Sequence, residues 1–177
     1  LSVIDSYFIP ALDIVGDRYE KGKIFLPQLI QSAEAVKGGF AVIRDTMPEG
    51  ERKASKGKIL LATVEGDIHD IGKNIAGMLL ANYGYDVLDL GKDVPVKEVV
   101  ETALREEIQL IGLSALMTTT VKSMKDTISA LRQAGCTAKI MVGGAVLNEE
   151  YVAFVGADYY VKDARADVMI ANEIFGN

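Results

Sequence analysis

Short apolar runs alternate with amphipathic segments from Lys58 to the end of the chain. Each of five β-prone runs is followed by a stretch with apolar residues at helical spacing. Strands that alternate with helices of this length form a parallel sheet with right-handed crossovers. The pattern therefore predicts an α/β domain with a five-stranded parallel sheet, either Rossmann-like or flavodoxin-like. The predicted strands are "KILLATV", "YDVLDL", "LIGLSA", "KIMVGG" and "ADYYV", and helices are predicted near 72–82, 96–106, 119–134, 148–154 and 165–175.

The beginning of the chain has helical spacing only. Pro10 and Pro27 suit the first turns of two helices, where a missing N–H costs little. The polar stretch that follows contains Pro48 and two glycines, which is typical of a linker. We therefore predict a helical cap over 1–47, a linker over 48–57 and the α/β domain over 58–177. The chain starts with leucine rather than methionine, so we expect the cap to be a truncated bundle.

Three glycine- or hydroxyl-rich segments follow predicted strands. They are "EGDIHDIG" after the first strand, "SALMTTT" after the third and "GGAVLN" after the fourth. In open parallel sheets, ligands bind beyond the carboxyl ends of the strands, near the point where the strand order reverses. All three segments are therefore expected to line one crevice at that edge.

Charge and composition exclude several classes of function. A net charge of −6 argues against nucleic acid or an anionic membrane as the main partner. The apolar runs fall well short of the roughly 18 residues that a membrane span needs. The single cysteine, Cys136, allows no internal disulfide, which fits a reducing cytoplasm.

The loop after the first predicted strand contains the only histidine of the chain, His69. One interpretation is structural, with Asp67 and Asp70 capping the next helix. The other is a ligand site, because the Asp67 carboxylate lies two residues from His69 and can orient its imidazole for a metal. One histidine and one cysteine exclude a zinc site rich in these residues. A single protein ligand suffices when a macrocycle supplies the others, which leaves haem and corrin as candidates.

Three motifs in register resemble the signature of cobalamin-binding domains. Asp67-x-His69-x-x-Gly72 is followed after 41 residues by Ser114-x-Leu116, and after 26 more by Gly143-Gly144. The stretch "VGDRYEKGKIFLPQLIQSAEAVK" is similar to the helical cap of methionine synthase and of corrinoid proteins for methanol, methylamine and methoxy compounds. The segments "GDIHDIGKNI" and "GADYYVKDA" look particularly like those of methionine synthase.

The resemblance implies a role for each matching residue. His69 would be the lower axial ligand of cobalt, displacing the cofactor's own base, and Asp67 would hydrogen-bond to it. A threonine, Thr120, stands where methionine synthase has the serine that extends this relay. Ser114 would meet the displaced nucleotide base in a channel beside the sheet. The other cofactor-binding residues are then Asp70, Ile71 and Gly72 in the histidine loop, Leu116, Thr118, Gly143 and Gly144 along the channel, and Tyr19 and Leu26 over the reactive face.

The implied function is that of a corrinoid methyl carrier. It would bind cobalamin, as methylcobalamin or a related corrinoid, and pass a methyl group from a donor to homocysteine, tetrahydrofolate or another thiol or pterin. The protein would not be catalytic alone and would need donor and acceptor methyltransferases and a reductive activation protein. Two alternatives share the histidine motif, namely a cobalamin-sensing regulator and the cobalamin domain of a mutase. A flavodoxin-like FMN or signalling domain is a more distant alternative.

Overall fold

The computed structural model describes residues 4–46 and 55–176. The chain divides into two compact units, with the boundary between residues 54 and 55. Most of the predicted linker, residues 48–54, lies outside the described residues. Each unit is therefore considered by itself.

The first unit is helical. A turn of π-helix at Ile4–Phe8 leads into α1, Ile9–Glu20, and α2 spans Leu26–Thr46. Pro10 lies in the first turn of α1 and Pro27 in that of α2, as the sequence predicts. The two helices contact each other, and Leu12 of α1 and Leu29 and Ala33 of α2 are buried.

The second unit is a five-stranded parallel sheet in the order β2-β1-β3-β4-β5. This is the flavodoxin-like order, and it reverses direction between β1 and β3. The predicted fold class is confirmed. The strands are β1 Lys58–Thr63, β2 Asp86–Asp89, β3 Leu110–Ser114, β4 Lys139–Gly143 and β5 Tyr159–Val161. The helices are α3 Ile71–Asn82, α4 Val96–Arg105, α5 Val121–Gln133, α6 Glu149–Val155 and α7 Ala164–Phe175.

The two faces of the sheet are packed differently. On one face, alternate residues such as Leu60, Ile111 and Ile140 join a continuous apolar core with α4 and α5. On the other face, Gly112 stands between Leu61 and Met141 in register across the three central strands. A Cβ at Gly112 would lie 2.6 Å from Leu61 Cδ2 and 3.1 Å from Met141 Cε. A glycine inside a strand often marks a close approach to another group. Here no side chain projects from the second face of the sheet at the centre of β3.

The segment after β3 differs from its predicted helix. We predicted a helix over 119–134, but α5 begins at Val121 after a 3₁₀ turn at Thr118–Thr120. The tighter turn is closed by the backbone hydrogen bond that the Thr120 N–H donates to the carbonyl oxygen of Met117, 3.1 Å away. Within the described ranges, no helix is long and apolar enough to cross a membrane.

Replacement of Gly144 tests how closely β3 and β4 approach where they end. Gly144 has a φ of +136°, and a side chain there would overlap the carbonyl oxygen of Ala115. We expect Gly144→Ala to lower the free energy of unfolding by more than about 2 kcal/mol in urea titrations. Gly135→Ala is the control, because its φ of +80° is also positive but the space around it is open, so the cost should be about 1–2 kcal/mol. Equal losses for the two variants would contradict the close approach.

Candidate corrinoid site

The loop from β1 to α3 carries Asp67 and His69 and is fastened to the loop that follows β2. Gly66 adopts a φ of +85°, which turns the chain at the end of β1. Its N–H donates to Asp93 Oδ1 at 2.7 Å, and the Asp93 N–H donates to the Asp67 carbonyl oxygen at 2.9 Å. The backbone around Asp67 is therefore held from both sides before any ligand is present.

Asp67 is fully buried and collects hydrogen bonds from two loops. Its Oδ2 accepts from the Leu116 N–H at 2.7 Å, from the Met117 N–H at 3.3 Å and from the Thr120 hydroxyl at 2.8 Å. Its Oδ1 accepts from the backbone N–H of His69 at 3.0 Å. The Thr120 hydroxyl has one proton for two acceptors, and the charged carboxylate is the stronger one. The segment that follows β3 thus covers the Asp67 carboxylate, which comes from the histidine loop.

These hydrogen bonds keep Asp67 ionised despite its burial. Desolvation acts to raise the pKa of the carboxyl group, since burial disfavours the charged form. The N–H groups of Leu116 and His69, the His69 ring and the Thr120 hydroxyl outweigh that effect, and the pKa lies well below its ordinary value. A buried negative charge is therefore present beside His69 at neutral pH.

The ionised carboxylate decides which nitrogen of His69 carries the proton. His69 Nδ1 lies 2.8 Å from Asp67 Oδ1, which can only accept, so Nδ1–H is the donor. The lone pair of Nε2 is then available to a ligand, and the ring is accessible because 45% of the side chain is exposed. The alternative of helix capping does not hold for Asp70, which precedes α3 and makes no side-chain capping bond.

A cavity of about 340 Å³ opens beside His69, between the face of the sheet that carries Gly112 and the helices α3 and α7. This is within the range typical of ligand pockets, about 300–1,000 Å³. Gly112 and Gly143 line it, and neither position has room for a side chain, since a Cβ at Gly143 would lie 2.7 Å from Val161 Cγ2. Ser114 lines the cavity, and its hydroxyl shares a hydrogen bond of 2.8 Å with Thr63 Oγ1.

The cavity unites residues from all three predicted segments. The predicted site residues along its wall are His69, Gly72, Ser114, Leu116, Gly143 and Gly144. Thr118 was expected to line the channel as well; it is exposed in the 3₁₀ turn and lies outside this cavity wall, so its contact with the cofactor stays a prediction. The chain bends after β3 to bring Leu116 and Met117 onto Asp67, which moves Thr118 away from the opening.

Other predicted residues lie outside the cavity wall. Asp70 and Ile71 are at the start of α3, where 72% of the Ile71 surface is exposed. Tyr19 is near the end of α1 with 39% of its surface exposed, and Leu26 is the first residue of α2. Both belong to the first unit, and their place over the reactive face stays a prediction.

Sequence reasoning missed several residues of the cavity. Gly112 could have been noticed, because a glycine interrupts the apolar run "LIGLS". Lys73 and Asp167 gave no signal, because nothing in their neighbourhood along the chain indicates a cavity. Lys73 reaches Asp89 and Asn74 with its ammonium group, so its charge is paired. Within residues 4–46 and 55–176, no group of three or more His, Cys, Asp or Glu side chains could hold a metal ion.

Comparison with protein families gives two matches to one kind of domain. Residues 57–171 match a model described as a B12 binding domain, and residues 1–44 match a second model with the same description. The two matches correspond to the α/β unit and to the helical unit.

Similar proteins come from methyltransferase systems. Dimethylamine corrinoid protein 1 of Methanosarcina acetivorans is 40% identical over 174 residues, which covers 97% of this chain and 82% of the relative. A solved cobalamin-binding protein from Desulfitobacterium hafniense has a TM-score of 0.84 at 34% identity, covering 97% of this chain and 81% of the other. The methanol:cobalamin methyltransferase complex MtaBC of Methanosarcina barkeri has a TM-score of 0.86 at 33% identity, covering 100% of this chain and 68% of the other.

Replacement of Asp67 should show a stability that depends on pH. Asp67→Asn places an amide N–H₂ against donors, and we expect a loss of about 2–4 kcal/mol in the free energy of unfolding at pH 7. The lowered pKa means that the carboxylate stabilises the fold above about pH 4 and ceases to do so as the pH falls through its folded-state value. The difference from wild type should therefore shrink below about pH 4 in urea titrations.

A matched control for this effect is Asp70→Asn in the same loop. Asp70 makes no capping bond to α3, so this variant should stay within about 0.5 kcal/mol of wild type. A difference between Asp67→Asn and wild type that is constant with pH would show that the carboxylate is not held ionised by the fold.

Proposed function

Because the chain belongs to the family of B12-binding domains, its cofactor is a corrinoid, and we propose that it is a methyl carrier with His69 as the lower ligand of cobalt. The family follows from the match over residues 57–171 and from the 40% identity to a dimethylamine corrinoid protein. The observation that carries the proposed ligation is the Asp67–His69 pair, in which Nδ1–H is donated to the carboxylate and the neutral ring presents the lone pair of Nε2 at the wall of the cavity.

The residues of the site fit a corrinoid with a nucleotide tail. One protein nitrogen is offered to the metal, which suffices when a macrocycle supplies the equatorial ligands. The cavity beside His69 is lined by Gly112 and Gly143, where the neighbouring side chains leave no room for a Cβ. In the proposed complex the displaced nucleotide base enters this cavity and meets the Ser114 hydroxyl. Bound there, the cofactor would supply the cobalt chemistry of methyl transfer, while the chain supplies orientation and proton control.

The proton on His69 is controlled by Asp67. With Nδ1–H donated to Oδ1, Nε2 can bind a metal, and when it is not ligated it can take up a proton. The Thr120 hydroxyl donates to the other carboxylate oxygen and so supports the carboxylate from the opposite side. We propose that changes of ligation are accompanied by proton uptake or release at Nε2.

The class of methyl donor is suggested by the relatives. Several are named dimethylamine corrinoid proteins, and one solved structure is a complex of a corrinoid protein with a methanol methyltransferase. We propose a methylated amine as the donor substrate, brought by a separate methyltransferase, which favours a carrier over a sensor or a mutase domain. A thiol or pterin acceptor, a reductive activation protein, a likeness to methionine synthase and a cytoplasmic location stay predictions.

The ligand of cobalt can be tested by isotope labelling, because the chain has one histidine. Protein grown with ¹⁵N-histidine is loaded with hydroxocobalamin, desalted and reduced to the paramagnetic cobalt(II) state. We expect the electron paramagnetic resonance lines to be split into doublets by the labelled nitrogen, where unlabelled protein gives triplets. His69→Ala should lose the nitrogen splitting or show that of the cofactor's own base. Triplets from the labelled protein would contradict ligation by His69.

The carrier role can be tested by label transfer. The corrinoid-loaded and reduced protein is mixed with a methylamine-specific methyltransferase, a ¹³C-methyl amine and a thiol with its acceptor methyltransferase. We expect the label to reach the thiol only when loaded protein is present, and His69→Ala to slow the transfer at least about tenfold. No transfer by a protein that retains and reduces the corrinoid would favour the sensor over the carrier.

A further inference from the structure

Asp167 is a buried acid inside the cavity with no role in the ligation of cobalt. It lies one turn into α7, only 7% of its surface is exposed, and it contributes to the same wall as Ser114 and Gly143. The opposite wall is apolar where Leu61, Gly112 and Met141 align across the sheet. A carboxyl group facing such a space is costly unless a ligand offers it hydrogen bonds.

The surroundings of Asp167 favour its neutral form. Burial raises the pKa of its carboxyl group to about 8, and the negative charge of Asp163 contributes to the rise. The backbone N–H of Asp167 itself opposes this only in part. At pH 7 the group is therefore mainly a carboxylic acid, with one O–H donor and one C=O acceptor.

The other charged groups around the cavity have their own partners. Lys73, on α3, is bonded to Asp89 and Asn74. Lys162, between β5 and α7, lies 4.0 Å from Asp163, and the Asp163 carboxylate accepts the N–H groups of Arg165 and Ala166. His69 is bonded to Asp67, and Tyr160 completes the set of titratable groups along the wall. No ion pair is found for Asp167 in the described part of the chain.

We propose that Asp167 selects the lower base of the bound corrinoid, favouring a base with a hydrogen-bonding edge over dimethylbenzimidazole. This inference rests on the proposed function, since it needs the nucleotide tail inside the cavity. Asp167 acts on the choice of cofactor and takes no part in methyl transfer.

The chemistry of the lower bases explains the preference. Adenine presents a ring nitrogen that accepts and an amino group that donates, which complements a neutral carboxyl group in two bonds. A hydroxybenzimidazole presents a hydroxyl that can do either. Dimethylbenzimidazole presents two methyl groups on the same edge, and against these the buried carboxyl group would lose water without gaining a partner. A site built around a polar group discriminates strongly against a ligand that leaves it unpaired.

The test compares four corrinoids that differ only below the ring. These are cobamides with adenine, hydroxybenzimidazole or dimethylbenzimidazole as lower base, and cobinamide, which lacks the nucleotide. Dissociation constants are measured from absorbance titrations of the full chain at pH 7. We expect wild type to bind one or both polar bases about tenfold to a hundredfold more tightly than dimethylbenzimidazole. Which of the two is preferred then identifies the edge that Asp167 meets.

Variants separate recognition from structure. Asp167→Ala should abolish the preference, while Asp167→Asn should keep most of it, since an amide also donates and accepts. The wild-type preference should weaken above about pH 8, where the acid ionises, and Asp167→Asn should show no such change. Glu173→Ala, an exposed acid on the same helix, is the matched control and should leave every dissociation constant unchanged. Cobinamide should bind equally to all four proteins.

The stability of the protein without cofactor provides a second test of the neutral, buried state of Asp167. Because the pKa is raised in the folded state, the contribution of Asp167 to stability falls as the pH rises from about 4 to about 8: over this range the unfolded state has released the proton while the folded state still holds it. Asp167→Asn should therefore gain stability over wild type as the pH increases in that range, and Glu173→Ala should not.

The outcomes distinguish the two levels of the argument. If wild type and Asp167→Ala show the same order and ratio of dissociation constants for the three bases, the role of Asp167 is overturned and the corrinoid function still stands. Tighter binding of dimethylbenzimidazole than of both polar bases would also overturn it. Failure of the folded wild-type protein to retain any corrinoid, cobinamide included, would overturn the proposed function and this inference with it.

Discussion

A single buried carboxylate organises the candidate site. Asp67 has no solvent contact, yet its charge is maintained because the N–H groups of Leu116 and His69 and the hydroxyl of Thr120 point at it. These donors come from two loops that are far apart in sequence and become neighbours where β1 and β3 end side by side. The tautomer of His69 therefore depends on the assembled sheet, because an unsolvated carboxylate without those donors would not stay ionised and would not require a donor at Nδ1.

The same sheet edge explains why a cavity exists. Parallel strands bring residues of equal register onto one face, and Gly112 stands there between two large side chains. One step nearer the edge, Ser114 pairs with Gly143. The opposite face of the sheet is covered by a continuous apolar core, whereas the face with Gly112 borders the cavity. The cavity therefore lies on the face of the sheet that the continuous apolar core does not fill.

The family match and the geometry of the site are independent observations that agree on a corrinoid ligand. The family match covers residues 57–171 and carries the corrinoid as cofactor. The geometry adds what a family match does not contain, namely the tautomer of His69 and a neutral acid, Asp167, in the wall of the cavity. Cofactor class is thus common to the family, whereas the preference for a lower base depends on the side chains of this chain.

The sequence alone determined the five strands, the flanking helices and the histidine loop, because these follow from local periodicity and from short motifs at fixed spacing. It also indicated Thr120 through resemblance, and the Thr120 hydroxyl is hydrogen-bonded to Asp67. Tertiary structure decided which residues face the cavity, since that depends on strand register and on helices packing from distant parts of the chain. Gly112 aligns with Leu61 and Met141 only once the strands pair. Asp167 becomes an acid of altered pKa only once α7 buries it, because desolvation is a property of the folded surroundings and not of the residue.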